Sequence, residues 1–207
     1  MTTYKELFGK YVQNYSSDPT STDAEGQIWY NSTSGTFKTA LGSYGVWASG
    51  GSLNTARFSL GSAGIQTSAL AFGGYTTTSV ANTESYNGTS WTSSPGNMGT
   101  ARYNLAGAGT QTAALAFGGI TTVVVANTES WNGTSWSPVN SMNTARRILA
   151  GAGTQTAALG FGGITTAATG ATESWNGTSW TSVNSMNTAR YAMGRAGIQT
   201  AALAFGG

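Results

Sequence analysis

One arginine and one glutamate recur as a pair three times, always 27 residues apart: Arg57 with Glu84, Arg102 with Glu129, and Arg146 with Glu173. A guanidinium beside a carboxylate could take part in acid–base chemistry. A catalytic pair is needed once, however, and this one returns with each period. Its repetition points to a structural role, in which it holds one strand, or the loop before it, against another. Arginine suits that role because it can satisfy a carboxylate and several carbonyls together. Other reactive types are scarce. The 207 residues include no His and no Cys, which excludes a Cys/His zinc site, a Ser-His-Asp triad, a thiol nucleophile and disulfides. Asp18, Asp23 and Glu25 could serve a hydrolase only from a linker. No Gly-rich loop is followed by the Lys and Ser/Thr of a phosphate-binding loop. The expectation is a non-enzymatic protein with no cofactor and no metal.

Nine Lys or Arg and seven Asp or Glu leave a net charge of +2. The pI near 9.0 reflects how few groups ionise. Without clustered Lys and Arg there is no counterion-displacing surface, so no nucleic-acid partner is expected. Hydrophobic residues at 39% and aromatics at 11% argue against a disordered chain. Abundant Gly, Ser, Thr and Asn suit turns and hairpins. No apolar run is long enough for a membrane span, and the N-terminus lacks the apolar core of a secretory signal. The absence of Cys leaves the redox compartment open, cytoplasmic or extracellular.

Self-comparison sets the architecture. Phe-Gly-Gly ends at Gly74, Gly119, Gly163 and Gly207, spaced 45, 44 and 44 residues apart. Arg57, Arg102, Arg146 and Arg190 keep that spacing, as do Gln66, Gln111, Gln155 and Gln199. Each copy reads as four short strands, a to d. In the second copy these are Arg102 to Ala108, Ala113 to Gly118, the stretch near Asn127 to Trp131, and a strand through Ser135-Trp136. A two-residue type I′ turn at Asn132-Gly133 joins the last two. The sequons at Asn31, Asn87, Asn132 and Asn176 fall on such turns and read first as turn chemistry. Four strands in about 44 residues match a β-propeller blade.

The double glycine Gly118-Gly119, with Trp131, Trp136, Met142 and Arg146, resembles the kelch motif. The set returns as Gly73-Gly74, Tyr86, Trp91, Met98 and Arg102, and as Gly162-Gly163, Trp175, Trp180, Met186 and Arg190. The resemblance covers roughly residues 28 to 207, with spacings shorter than a typical kelch blade. It implies an all-β kelch-like propeller with blades near 57–93, 102–138 and 146–182. The copper radical oxidases with this fold need His, Tyr and a Cys–Tyr crosslink, which this chain cannot supply. The last copy stops after strand b, while Trp47, Leu53 and Arg57 repeat the spacing of Trp136, Met142 and Arg146. The expected fourth blade is therefore composite: strands c–d from 28–49 pair with a–b from 189–207, making a four-bladed ring. Two chains forming eight blades, or a piece of a longer propeller, are the alternatives. Ile28 stands where Glu84 would, so Arg190 should find backbone carbonyls or another acid.

Residues 1–26 read as a separate N-terminal segment, with an amphipathic helix over 3–15. Tyr4, Leu7, Phe8, Tyr11, Val12 and Tyr15 lie on one stripe, Thr3 with Glu6 forms a capping box, and Asp18-Pro19 marks the stop. The helix would cover the propeller base, or serve as an attachment or homo-oligomerisation element. Between copies, the b–c loops vary most, around Tyr75, Ile120 with Val123, Val124 and Val125, and Ile164. The residues after the repeated Arg vary too: Phe58, Tyr103, Arg147 and Tyr191. In an antiparallel blade, b–c and d–a connections share one face, which is the expected partner-binding surface. The Trp residues read as packing between blades, with a sugar-stacking role as the alternative.

A second resemblance lies in Glu25-Gly-Gln-Ile-Trp-Tyr-Asn31 through Phe37-Lys38 to Gly45-Val-Trp47, which is similar to segments of bacteriophage tail-fibre and virion proteins. Joined to kelch-like copies, it resembles structural proteins of marine phages. This implies a virion component displaying the repeats towards a host-surface protein or glycan. A general kelch-type interaction module is the alternative, and a carbohydrate-active enzyme a less favoured third.

Overall fold

The computed structural model describes residues 13–18, 28–39 and 48–207. The chain divides into two compact units, Met1–Ser49 and Gly50–Gly207. The described residues form strands and turns, and no helix.

In the first unit, β1 (Gln13–Tyr15) runs parallel to β2 (Ile28–Asn31), which pairs antiparallel with β3 (Thr36–Thr39). Asp18 fastens the group. Its carboxylate accepts from Lys38 Nζ at 2.7 Å, Asn31 Nδ2 at 2.7 Å and Trp29 Nε1 at 3.3 Å. The hydrogen bonds from Lys38 and then Asn31 hold its pKa below the ordinary carboxylate value.

Two expectations are corrected here. The helix expected over 3–15 lies mostly outside the described residues, but Gln13–Tyr15, its C-terminal end, is a strand. The ladder Gln13↔Trp29 to Tyr15↔Asn31, with Ser32 N donating to Tyr15 O at 2.9 Å, overrides the local periodicity. The composite pairing also lacks a place on β2. Strand β2 is hydrogen-bonded on both edges, by β1 and β3, so no edge of it is left for a C-terminal strand.

The second unit repeats one motif. Three four-stranded antiparallel sheets follow each other. The first holds β4 (Gly61–Ile65), β5 (Ser68–Phe72), β6 (Thr83–Tyr86) and β7 (Trp91–Ser93). The second holds β8 (Ala106–Gly109), β9 (Ala114–Phe117), β10 (Thr128–Trp131) and β11 (Trp136–Val139). The third holds β12 (Ala150–Gly153), β13 (Ala158–Phe161), β14 (Thr172–Trp175) and β15 (Trp180–Val183). A two-stranded sheet of β16 (Gly194–Ile198) and β17 (Ala201–Phe205) ends the series. The four first strands β4, β8, β12 and β16 gather around a channel of about 380 Å³. From β16, Arg195 Nη2 donates to Ser62 O of β4 at 3.3 Å, linking the last repeat to the first. This arrangement fits a β-propeller.

The small first strands allow the close approach. A Cβ on Gly107 would sit 2.5 Å from Ser62 O and 2.6 Å from the Phe72 ring, so only glycine fits there. Between sheets, tryptophan does the packing. Trp136 lies 4.8 Å from Phe72 and donates from Nε1 to Thr83 Oγ1 at 2.9 Å. Trp180 repeats this on Phe117 at 4.8 Å and Thr128 Oγ1 at 3.0 Å. The repeated glutamines add a second tie: Gln111 Nε2 donates to Ala69 O at 3.1 Å and Tyr86 O at 2.6 Å of the preceding sheet. Gln199 does so to Ala158 O at 3.0 Å and Trp175 O at 2.6 Å.

Two further details depart from expectation. The first strand of the second copy begins at Ala106 rather than Arg102. The backbone is interrupted before it, because Tyr103 bridges Ile120 and Asn104 takes a left-handed conformation at φ 54°. The hairpin after β10 is not a type I′ turn. Trp131 pairs with Trp136, and of the intervening residues only Gly133 has positive φ. The cause is the Asn132 side chain, whose Oδ1 accepts from Thr134 N at 3.0 Å and Ser135 N at 2.9 Å.

Asn104 belongs to a series. Ser59, Asn104, Ile148 and Ala192 all sit at φ 53–54°. Their backbones hand hydrogen bonds from sheet to sheet: Asn104 N to Ser59 O at 2.8 Å, Ile148 N to Asn104 O at 2.8 Å, and Ala192 N to Ile148 O at 3.2 Å. A left-handed residue turns its amide sideways to reach the neighbouring sheet. For β-branched Ile148 this costs about 1–2 kcal/mol. Replacing Ile148 by Asn, the residue the preceding copy uses, should therefore stabilise the protein by about 1 kcal/mol. Thermal denaturation reads this as a rise of roughly 2–4 °C, and a fall would show that the Ile148 side chain outweighs its backbone strain.

Candidate functional site

The three Arg–Glu pairs form as ion pairs. Arg57 Nη1 meets Glu84 Oε1 at 2.7 Å, Arg102 meets Glu129, and Arg146 Nη2 meets Glu173 Oε1 at 2.8 Å. All six side chains are shielded from solvent. The carboxylates are fully used by the loop before the first strand. Glu84 accepts from Asn54 N at 2.7 Å and Thr55 N at 3.3 Å, and Glu129 from Gly99 N at 2.6 Å and Thr100 N at 3.3 Å. Glu173 accepts from Asn143 N at 2.7 Å and Thr144 N at 3.3 Å. Each arginine also donates to carbonyls of its own sheet, as Arg102 does to Ala116 O at 3.3 Å. Burial pulls the three guanidinium pKa values below their ordinary value, and the glutamates oppose it. Each pair thus clamps the incoming loop onto the third strand. Arg190, which has no such glutamate among the described residues, is half-buried and donates to Gly206 O at 3.1 Å.

The residues that vary between copies come together at one end of the first strands. Phe58 exchanges backbone hydrogen bonds with Tyr75, at 3.1 and 2.9 Å. Tyr103 does so with Ile120 at 3.1 and 2.9 Å, and Arg147 with Ile164 at 3.0 and 2.8 Å. Each b–c loop is therefore stitched to the residue after its own repeated arginine. The Tyr75 ring lies 5.5 Å from Phe58 and 4.8 Å from Tyr103, so the aromatic cluster spans two sheets. Within the valine run, Val123 is 63% exposed while Val124 and Val125 are half-buried. Val125 N instead ties the loop to Gly119 O at 2.9 Å. Val123 is thus the member of the run that faces solvent; Phe58 is exposed at the first bridge, and Tyr191 is exposed at the equivalent position of the last copy, where no such bridge forms among the described residues.

Sequence reasoning misses the left-handed series Ser59, Asn104, Ile148 and Ala192. Its signal is present nonetheless: each follows a variable residue and precedes the first strand, at the repeat spacing. Arg195 stands where the other copies have Ser62, Gly107 and Gly151. It reaches into the channel, where burial lowers its pKa. Among the described residues no group of three or more His, Cys, Asp or Glu could hold a metal ion. No helix among them is long and apolar enough to cross a membrane. Compared with models of known protein families and with curated proteins, the chain matches none.

Proposed function

We propose that residues 50–207 form a kelch-like propeller scaffold without enzymatic activity, whose loop face binds a partner on behalf of a virion. Three blades are complete and the fourth is represented by β16–β17. The observation that carries the binding role is the convergence of between-copy variation on one end. The clamps, the Asn turns and the inter-sheet tryptophans barely change between copies, whereas Phe58, Tyr75, Tyr103, Ile120, Val123, Arg147 and Ile164 do. A scaffold keeps its packing constant and places its variety where recognition occurs. The exposed aromatic and aliphatic side chains suit a protein or glycan surface. The virion role rests on the tail-fibre resemblance of residues 25–47, with the N-terminal segment as the attachment to other virion proteins.

Two measurements test this. Mass spectrometry of purified phage particles should recover peptides of this chain; particles that lack it would leave a general interaction module. Binding of the chain to host-surface glycans on an array, or to host-surface proteins, should weaken at least about tenfold when Val123, Val124 and Val125 are changed to Ser. Unchanged binding would move the site away from this face.

A further inference from the structure

The wall of the central channel is made of strand edges. In each sheet of the second unit the first strand lies at the end of the sheet, so it is hydrogen-bonded along one edge only. Ser62, Gly107, Gly151 and Arg195 hold the same ladder position, opposite Ala71, Ala116, Gly160 and Ala204. All four line the channel. Thr110 N donates to Ala113 O and Thr154 N to Ala157 O, both at 2.9 Å. These bonds fix the alternation of the antiparallel ladders. Ala108 and Ala152, two places back, bond to the second strand, so the amides of Gly107 and Gly151 point the other way, into the channel. The shared register turns the amides of Ser62 and Arg195 inward as well. The carbonyls beside them are directed at the next strand. A Cβ on Gly107 would lie 2.5 Å from Ser62 O, and one on Gly151 would lie 2.9 Å from Gly107 O. The wall thus presents N–H donors to the channel.

Arg195 adds a positive charge. It is the only ionisable residue among the described ones that line the channel. Its Nη2 donates to Ser62 O at 3.3 Å, a single long bond for a group with five N–H donors. The four acids among the described residues are each paired with another cation: Asp18 with Lys38, Glu84 with Arg57, Glu129 with Arg102 and Glu173 with Arg146. Burial lowers the Arg195 pKa with no carboxylate to oppose it, whereas each clamp arginine has one. The channel volume of about 380 Å³ is that of a small-molecule site.

We propose that the channel binds a small oxyanion, a phosphate or carboxylate group, held by the Arg195 guanidinium and the inward amides of Ser62, Gly107 and Gly151. The planar guanidinium offers a fork that matches two oxygens of such a group. Converging backbone amides form anion-binding concavities of the same kind. The bound charge supplies the counterion that Arg195 lacks. The other copies carry Ser or Gly at this position, so the ring holds one such charge. The site lies inside the ring of first strands and does not depend on the loop face.

The test titrates the full chain with inorganic phosphate, and separately with succinate, at ionic strength held constant with sodium chloride. Calorimetry gives the affinity, and the amide NMR shifts of Gly107 and Gly151 locate the site. Saturable binding that moves those amides is expected. Phosphate, with more acceptor oxygens around one centre, should bind the tighter; tighter succinate would assign the site to carboxylates. Affinity should fall at least tenfold with Arg195→Ala. Ser62→Asp places a carboxylate at the residue Arg195 already touches, and should abolish anion binding while the fold is kept, as thermal denaturation would show. The variant with Val123, Val124 and Val125 changed to Ser should bind the anion normally. Binding of neither anion would overturn the proposal. So would binding that survives Arg195→Ala, or a loss of stability in Arg195→Ala with the anion response unchanged, which would leave Arg195 only a tie between the last and first repeats.

Discussion

Glu129→Gln should destabilise the protein by about 3–5 kcal/mol, because it leaves the Arg102 guanidinium charged, buried and without its counterion. Arg102 is fully buried and Glu129 is 2% exposed, so solvent cannot replace the lost carboxylate. The same substitution weakens the two amide hydrogen bonds that hold Gly99 and Thr100. For a unit of this size the melting temperature should fall by roughly 10 °C. Arg190→Ala is the matched control. With no carboxylate beside it among the described residues, and half-buried, that arginine should cost no more than about 0.5 kcal/mol. Thermal denaturation of both variants decides the matter: an unchanged midpoint for Glu129→Gln would remove the structural role assigned to all three clamps. The Nε–H of Arg57, Arg102 and Arg146 is buried without an acceptor among the described residues. The clamps are therefore already costly to bury, which is why losing the glutamate should be felt in full.

The second large effect is expected at Trp180. Its ring fills the space over Phe117, and its Nε1–H satisfies buried Thr128. Trp180→Ala removes the apolar contact, opens a cavity between the second and third sheets and strands a hydroxyl, at a cost of about 3–5 kcal/mol. Trp91 sits at the equivalent position of the first sheet, half-buried and stacked 5.0 Å from Tyr86. With no threonine to satisfy among the described residues, Trp91→Ala should cost no more than about 2 kcal/mol. Urea denaturation of the two variants measures the difference. Equal losses would mean that the interval between sheets contributes nothing beyond each sheet's own packing.

What is legible in the sequence is whatever repeats. The clamps can be paired by number alone, since Arg57 and Glu84 keep their separation in every copy. The buried run Ala114–Phe117 announces a strand shielded on both faces. The loop face is legible as variation, and the bridges Tyr103↔Ile120 and Arg147↔Ile164 show that the two variable sets are neighbours. What is not legible arises where non-local bonds override local preference. Gln13–Tyr15 has helical spacing around it, yet takes a strand because β2 offers a parallel edge. Ile148 is a residue type that avoids positive φ, and only the amide chain running from sheet to sheet explains its conformation. The Asn132 turn departs from type I′ because its side chain, rather than the backbone of Asn132-Gly133, organises the loop.

The most direct measurement is a spin-label distance. The chain has no cysteine of its own, so labels can be placed at will through introduced ones. Ile65 and Ile198 occupy equivalent exposed positions on the first and last repeats, and Thr110 is the exposed equivalent on the second. If the first strands gather around one channel, the 65–198 distance should be close to the 65–110 distance. A 65–198 distance several times longer would mean a linear stack of sheets and contradict the ring.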